Sequence, residues 1–196
     1  MKKYFLFVFV ILIINNTLIY SKTNKEEQDS FYINLTIGYP FVYGLSKDLY
    51  HYYEIDKKYL RNYYSDISIL WTVNDNFLLG TGLSGLSPVY SDHKNSFELV
   101  SLFNIISIYY LKSAVEESTF FKLEINPLSV FTIKQENFDE KDGGGLSLKV
   151  GLGYLYHIDQ APIDFYMGID NLFFVPVYEK INWKIYVLYG YFGFRW

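Results

Sequence analysis

His157 and Asp164 lie on either side of a short turn segment, 159–162, and their residue types could perform acid–base chemistry. If the flanking segments pair as strands, the carboxylate of Asp164 would lie beside the imidazole of His157. A carboxylate placed there can orient an imidazole toward a hydroxyl nucleophile, for which Ser147 is a candidate. The other interpretation is a structural ion pair. We favour it because function must be argued from an assembled site, and the sequence shows no further part of one.

These two residues belong to a larger set of charged residues that would share the polar face of the predicted strands. The set comprises Lys122, Glu124, Lys149, His157, Asp164, Asp170 and Arg195. An isolated buried charge costs far more free energy than a paired one, so we expect ion pairs. The strand order predicts that Arg195 and Asp164 meet at one end of the fold, together with His157 and Lys122.

Further along the same face, Lys149 and Asp170 are predicted to pair, which makes the whole set a structural interior cluster. The acidic and glycine-rich stretch 139–145 could offer carboxylates to Ca²⁺, but its spacing does not match a calcium-binding loop. We therefore expect no metal, no cofactor and no catalytic residue.

Eight segments position these residues. Each alternates apolar and polar side chains with a period of two and is bounded by turn signals, which predicts eight β-strands. They cover roughly residues 31–44, 63–73, 77–84, 97–111, 121–126, 146–157, 163–170 and 183–196. The fourth segment is nearly all apolar and its facing stays open. Glu98 and Asn104 share one side of it, whereas Ser101 and Ser107 share the other.

The apolar faces are broad and the polar faces narrow, which indicates that the apolar side meets lipid. Twenty-one Tyr, 17 Phe and 3 Trp make up 21% of the 196 residues, more than a domain of this size can bury. A sheet in hydrocarbon must close, because open edges leave unpaired backbone groups. The prediction is an all-β, eight-stranded, antiparallel up-and-down transmembrane β-barrel. Its interior would be filled by side chains, with small residues such as Gly80 and Gly82 leaving room for bulky ones.

The last predicted strand carries large apolar side chains at alternate positions, Phe192, Phe194 and Trp196. This pattern resembles the sorting signal of bacterial outer-membrane β-barrels, and that resemblance implies recognition by the barrel-assembly machinery. In architecture the chain resembles the small eight-stranded OmpA/OmpX-type barrels. The resemblance carries over no active site, because the His-x-Ser-Asn motif of barrel enzymes that modify lipid A is not found.

The beginning of the chain predicts export. Lys2 and Lys3 precede an apolar stretch, 4–14, that is too short to span a membrane as a helix. We therefore predict a signal peptide at 1–21, a short periplasmic segment at 22–30 and the barrel at 31–196. Removing residues 1–21 changes the net charge from −4 to −6, since Lys+Arg falls from 17 to 15 against 21 Asp+Glu. This balance argues against a nucleic-acid partner.

The connections predict an orientation. Outer-membrane barrels have short periplasmic turns and longer outer loops, and we predict exposed loops at about 45–60, 88–95, 135–145 and 176–182. Both termini would then be periplasmic. One aromatic residue from each strand would form a ring at that end: Phe31, Trp71, Phe77, Tyr109, Phe121, Tyr156, Phe165 and Trp196.

The sequence leaves three functions open. The favoured one is a noncatalytic outer-membrane protein with a structural, surface or host-interaction role, whose partners are outer-membrane lipid, the assembly machinery and an extracellular ligand or host component. The first alternative is a barrel-embedded lipid-modifying enzyme or a narrow conduit for a small apolar ligand. The second is a secreted lipocalin-like ligand binder, which would keep its apolar residues inside.

Overall fold

The computed structural model describes residues 31–45, 62–88, 96–135, 138–158, 161–177 and 185–196. The predicted signal peptide, the segment 22–30 and most of the predicted loops at 45–60, 88–95 and 176–182 lie outside these residues. Within the described ranges, no helix is long and apolar enough to cross a membrane.

Eight antiparallel strands close into a barrel, as predicted. They are β1 Phe31–Leu45, β2 Asn62–Asn74, β3 Phe77–Pro88, β4 Ser96–Tyr110, β5 Ser118–Gln135, β6 Phe138–Tyr156, β7 Asp164–Pro176 and β8 Ile185–Arg195. Each strand pairs with its neighbours in the sequence, and β8 closes the barrel by pairing with β1. Trp196 continues this seam, because its backbone N–H donates to Ile33 O and its carbonyl accepts from Ile33 N–H.

The period-two alternation places apolar side chains outside and polar side chains inside. In β2, Tyr64, Asp66 and Ser68 are buried, whereas Tyr63 and Trp71 are exposed. The inward glycines predicted in β3 are required by close packing. A Cβ on Gly80 would lie 2.1 Å from the carbonyl oxygen of Ile69 on the neighbouring strand.

A β-bulge determines which residues of β4 face the interior, the point that the sequence left open. The register with β3 shifts between Gly82 and Ser84, so that two residues of β4, Leu102 and Phe103, lie opposite one residue of β3. Phe103 adopts a φ of 56° and is exposed on the outer wall. Because a bulge inserts one extra residue, the facing changes there. Ser101 and Asn104 both point inward, and Ser107 is on the outer side.

A second bulge lies beside the first, at Pro127 and Leu128 of β5, where the register with β6 shifts between Asn126 and Ser129. Proline is tolerated there because a bulged residue need not donate to the ladder. The pairing of β4 with β5 stays in step on both sides of the two bulges. The inward and outward positions therefore exchange in both strands at the same level along the barrel.

The prediction of an exposed loop at 135–145 is wrong. β5 continues to Gln135 and β6 begins at Phe138, so this stretch forms a long hairpin with a two-residue connection. The glycines 143–145 pair with residues 129–131 of β5 and serve as strand residues.

The predicted division into short turns at one end of the barrel and longer loops at the other end holds only in part. The connection from β2 to β3 is a two-residue turn, Asp75–Asn76, but the one from β4 to β5 has seven residues, 111–117, and is longer than the fifth connection. The ring of aromatic residues does gather at the end that these turns share. Phe31 lies opposite Trp71, Phe77 opposite Tyr109, and Tyr109 opposite Phe121.

Candidate functional site

Arg195 lies at one end of the barrel, the end that carries the turn Asp75–Asn76. We call this end of the barrel the floor. Its guanidinium donates to Asp164 Oδ2 from Nε at 3.2 Å and from Nη2 at 2.5 Å. The other carboxylate oxygen of Asp164 lies 2.7 Å from Nδ1 of His157. The predicted meeting of these three residues therefore occurs. Arg195 is 1% exposed and His157 is 43% exposed, so the chain of contacts runs from the interior to the rim.

The connection 111–117 completes the floor. Arg195 donates to the carbonyl of Ala114 at 2.5 Å and to the hydroxyl of Tyr110 at 3.2 Å. Ala114 in turn donates its N–H to Asp75 O at 2.7 Å, and its own exposure is 1%. The guanidinium also lies 4.4 Å from the centroid of the Tyr32 ring. These contacts tie four strand ends and two connections around one cation.

Lys122 does not join this floor cluster, which corrects the prediction that it lies near His157. Its ammonium nitrogen lies 3.2 Å from Asp170 Oδ2 and 3.3 Å from Glu124 Oε2, in the middle of the barrel. Lys149, predicted to pair with Asp170, instead forms its ion pair with Glu124. One carboxylate therefore bridges two ammonium groups, and Asp170 completes the row.

Neutral polar side chains surround this central cluster. Asn104 donates to Glu124 at 2.6 Å, and Tyr189 donates to Asp170 at 3.0 Å. Lys149 donates to the hydroxyls of Tyr64 and Ser84 at 2.7 and 2.8 Å. Glu124 and Asp170 are 0% exposed and Lys149 is 1% exposed. Further hydrogen bonds help a buried ion pair to be tolerated, and these side chains supply several of them, although Asp170 Oδ1 and Asn104 Oδ1 accept none from the described residues.

Ser147 lies in a separate layer above the central cluster. Its hydroxyl is 2.8 Å from that of Ser129 and 3.2 Å from that of Ser101, and it accepts from Asn126 Nδ2 at 2.7 Å. His157 directly follows the last residue of β6, ten residues beyond Ser147, which corresponds to about 33 Å at about 3.3 Å per residue. The two side chains therefore cannot act on one substrate atom, and the catalytic arrangement is not assembled.

The interior is packed along its described length. Above the serine layer lie Phe131, Phe174, Leu86 and Leu99, all buried, with the rings of Phe131 and Phe174 in edge contact at 5.5 Å. The cavity between the floor and the central cluster has a volume of about 10 Å³. Such a space holds about one water molecule. The arrangement fills the barrel and leaves no room for a lipid chain in this part of the interior.

The outer wall is a continuous apolar belt. Its exposed side chains include Leu79, Leu83, Ile105, Leu123, Ile125, Leu148, Val150, Leu152, Met167 and Ile169. In the last strand, Phe192 and Phe194 are 47% and 42% exposed on this wall, and Trp196 is partly exposed. A patch of this size far exceeds what a water-surrounded monomer usually exposes.

Sequence reasoning missed part of the interior network. Tyr110 and Asn104 lie on β4, whose facing could not be read, and Ala114 lies in a connection with no motif. Tyr189 shares the inner face with Arg195, six residues further along β8, but nothing in the sequence indicates that its hydroxyl reaches Asp170. The only local signal for the paired bulges is Pro127, a residue that a regular inner strand would not accept.

Comparison with known proteins identifies the fold. No protein-family model matches the chain, and no curated protein matches it in sequence. Neisserial surface protein A has a similar structure, with a TM-score of 0.58 and 15% identity over 85% of this chain and 96% of that chain. Ail, the attachment invasion locus protein of Yersinia pestis, gives 0.53 and 10% over 86% and 100%. Ail in complex with the heparin analogue sucrose octasulfate gives 0.51 and 13% over 85% and 99%. The chain therefore has the fold of the small eight-stranded outer-membrane barrels.

Proposed function

We propose that the protein is an integral outer-membrane β-barrel with a noncatalytic surface role. The observation that carries this proposal is which side of the strands is apolar, because the buried charged side chains lie inside the barrel and an apolar belt faces outward. A transmembrane strand needs about 9–11 residues, and the described strands have 11 to 19. The strands are therefore long enough to cross a bilayer and to extend beyond it.

The packed interior supports a role at the surface of the barrel over one inside it. A lipid-modifying enzyme requires a nucleophile and a base in contact, but Ser147 and His157 belong to different layers. A conduit requires a continuous passage, but the floor cluster and the central cluster both lie across the barrel axis. These observations leave the outer wall and the connections opposite the floor as the working surfaces.

The connections opposite the floor are the proposed site of contact with an extracellular ligand or host component. Ail, which shares this fold, has been solved with a heparin analogue. In this chain the segment 45–60 contains Lys47, Lys57 and Lys58 but also Asp48, Glu54 and Asp56. This mixed charge does not favour a polyanion in particular, so we leave the chemical class of the ligand unassigned.

Membrane fractionation combined with heat modifiability tests this proposal. A closed barrel extracted in detergent should migrate faster on a gel before boiling than after it, and the protein should be found in the outer-membrane fraction. A water-soluble protein whose migration does not change on boiling would contradict the proposal and favour the lipocalin-like alternative. Unchanged lipid A and phospholipid in cells that express wild type, Ser147→Ala or His157→Ala would remove the enzymatic alternative.

A further inference from the structure

The buried charges in the middle of the barrel are unequal in number. Three carboxylates and two ammonium groups lie there, Asp66, Glu124, Asp170, Lys122 and Lys149, which gives a net charge of −1 when all five are ionised. Both ammonium groups pair with Glu124, and Lys122 also pairs with Asp170. Among the described residues, no cation forms an ion pair with Asp66. A buried charge without a compensating one is costly, so this carboxylate requires a further partner.

The hydrogen bonds of Asp66 are those of an ionised carboxylate. An ammonium group can only donate, so the hydroxyl of Tyr64 accepts from Lys149 at 2.7 Å. The hydrogen of this hydroxyl then points to Asp66 Oδ2 at 3.2 Å. The other oxygen, Oδ1, accepts from the hydroxyl of Ser68, also at 3.2 Å. Both oxygens of Asp66 therefore act as acceptors, and the negative charge remains on this residue.

Asp66 lines the cavity of about 10 Å³ between the floor and the central cluster. Thr36 lies opposite Asp66 in the pairing of β1 with β2, Asn34 lies opposite Ser68, and all four side chains are buried and line this cavity. Asn34 Oδ1 is buried and accepts no hydrogen bond from the described residues, and the hydroxyl of Tyr191, which also lines the cavity, has no partner among them either. The cavity thus combines one unpaired negative charge with neutral oxygen atoms that lack a partner.

We infer that this cavity binds one Na⁺ ion, held by Asp66 and by the neighbouring side-chain oxygen atoms of β1 and β2. One monovalent cation offsets the net charge of −1, whereas a water molecule would leave that charge in place. The space holds about one water molecule, and a dehydrated Na⁺ ion is no larger. Lys122 also lines the cavity, but two other carboxylates already share its charge.

Divalent cations fit this cavity less well. Ca²⁺ takes about six to eight oxygen ligands, and Mg²⁺ usually keeps several of its waters, for which the cavity has no room. Either ion would also replace the excess negative charge by an excess positive one. The site lies inside the barrel, so the inference does not depend on the medium around the outer wall.

Unfolding of the wild-type barrel in sodium chloride and in choline chloride tests the inference. Choline is too large for the cavity. Both salts are used at the same ionic strength, in vesicles of zwitterionic phosphatidylcholine, so that general screening is equal. Above the dissociation constant of Na⁺, each tenfold increase in its concentration should lower the unfolding equilibrium constant about tenfold, because the ion binds only the folded state. Equal unfolding equilibrium constants in the two salts would overturn the inference.

Two asparagines provide matched variants. Asn34 and Asn126 are both buried, and Oδ1 of each lacks a donor among the described residues. Asn34 lines the cavity, whereas Asn126 belongs to the serine layer. Asn34→Leu should shift the sodium dependence to several-fold higher concentration, and Asn126→Leu should keep the wild-type dependence even where it is less stable. Asp66→Asn should lose the dependence. The same sodium dependence in all three variants would overturn the inference, because the ion would then act elsewhere.

Infrared spectroscopy of the wild-type barrel keeps the inference falsifiable if the variants fail to insert, which the heat modifiability of each variant shows. At neutral pH in sodium chloride, Asp66 should contribute only carboxylate bands. Replacing Na⁺ by choline should produce the carbonyl band of a carboxylic acid, because an unpaired buried carboxylate takes up a proton instead. Identical spectra in the two salts would overturn the inference. A carboxylic acid band already present in sodium chloride and unchanged in choline chloride would identify a proton as the compensating charge.

Discussion

At the scale of single residues, Glu124 is the side chain on which the interior charge arrangement depends most. It pairs with both Lys122 and Lys149 and accepts from Asn104, and it is fully buried. Removing one partner of a buried pair leaves an uncompensated charge, which typically costs about 3–5 kcal/mol. The cost should be high here because the replacement affects two ammonium groups at once.

We predict that Glu124→Gln lowers the free energy of unfolding by about 3 kcal/mol or more, measured by denaturant titration of the barrel in lipid vesicles. Asp66→Asn is the matched control. Asp66 is 3% exposed, and its carboxylate accepts from the hydroxyls of Tyr64 and Ser68 at 3.2 Å each. The amide oxygen can still accept from one hydroxyl, and the other hydroxyl can turn to accept from the amide NH2, so we expect a loss of about 1 kcal/mol. Equal losses in the two variants would contradict a special role for Glu124.

At the scale of the element, the paired bulges decide which residues of β4 and β5 face the interior. Ser101 and Ser107 are six residues apart, and in a regular strand they would share a face. The bulge separates them. Ser101 is 3% exposed and lies 2.9 Å from Ser129, whereas Ser107 lies on the outer side and donates to the backbone carbonyl of Leu123 at 3.3 Å.

The same substitution at these two serines should therefore change the free energy of unfolding differently. Ser101→Leu places extra volume in the packed interior and removes hydrogen bonds, so we predict a loss of about 1–3 kcal/mol in unfolding free energy. Ser107→Leu adds apolar surface to the lipid-facing wall and should be neutral or slightly stabilising. The measurement is denaturant unfolding in vesicles of fixed composition. Equal destabilisation of both variants would show that β4 runs without the bulge.

The bulges also explain how far the sequence could be interpreted. In strands that alternate strictly, such as β2 and β8, the sequence identifies the inner face directly, because a period of two follows from the backbone. β4 could not be assigned, because its inward and outward positions exchange at Phe103 and both faces carry large apolar residues. The partner of Lys122 depended on register along three strands, and a single shift moves an ion pair to another layer.

The hairpin at 135–145 was misread for a different reason. Its glycines and acidic residues are typical of a turn, yet glycines 143–145 pair with β5 as strand residues. A Cβ on Gly145 would lie 2.4 Å from Val175 O and 2.7 Å from the Phe174 ring. Close approach of a neighbouring strand therefore requires this glycine. Composition alone cannot distinguish a glycine needed for packing from one needed for a turn.

The last strand carries a prediction about assembly. Phe194 has an outward position on β8 and Trp196 follows the end of this strand. In the resemblance to outer-membrane barrels, these two residues belong to the sorting signal. We predict that Phe194→Ser combined with Trp196→Ser lowers the folded amount in cells several-fold, measured as the heat-modifiable band, while the purified unfolded chain still refolds in detergent. Phe173→Ser is the control, because Phe173 is 43% exposed on the same wall but lies on β7. Equal losses in the control and the double variant would contradict a role in sorting.

At the scale of the whole molecule, the proposal depends on which medium surrounds the belt. A water-surrounded barrel and a membrane barrel can share strand number and closure, but they respond differently to a charge on the outer wall. Val150 and Tyr156 are both exposed on β6, at 44% and 40%. Tyr156 belongs to the aromatic ring near the floor, and Val150 is six residues away, about 20 Å along the strand. With a strand tilt of about 45°, Val150 lies about 14 Å above the ring, close to the middle of a bilayer core of about 30 Å.

Replacing each of these two residues by arginine therefore distinguishes lipid from water around the outer wall. On the lipid face, we predict that Val150→Arg costs about 2–4 kcal/mol and Tyr156→Arg about 0–1 kcal/mol, because the penalty for a charge falls from the midplane to the interface. Unfolding free energies in vesicles give both values. If water surrounded the wall, arginine at an exposed site would be nearly neutral in both variants, and the difference between them would vanish. Two sites at different depths in hydrocarbon should differ by about 1–4 kcal/mol, with the larger cost at Val150, so this pair tests membrane placement by energy, independently of where the protein fractionates.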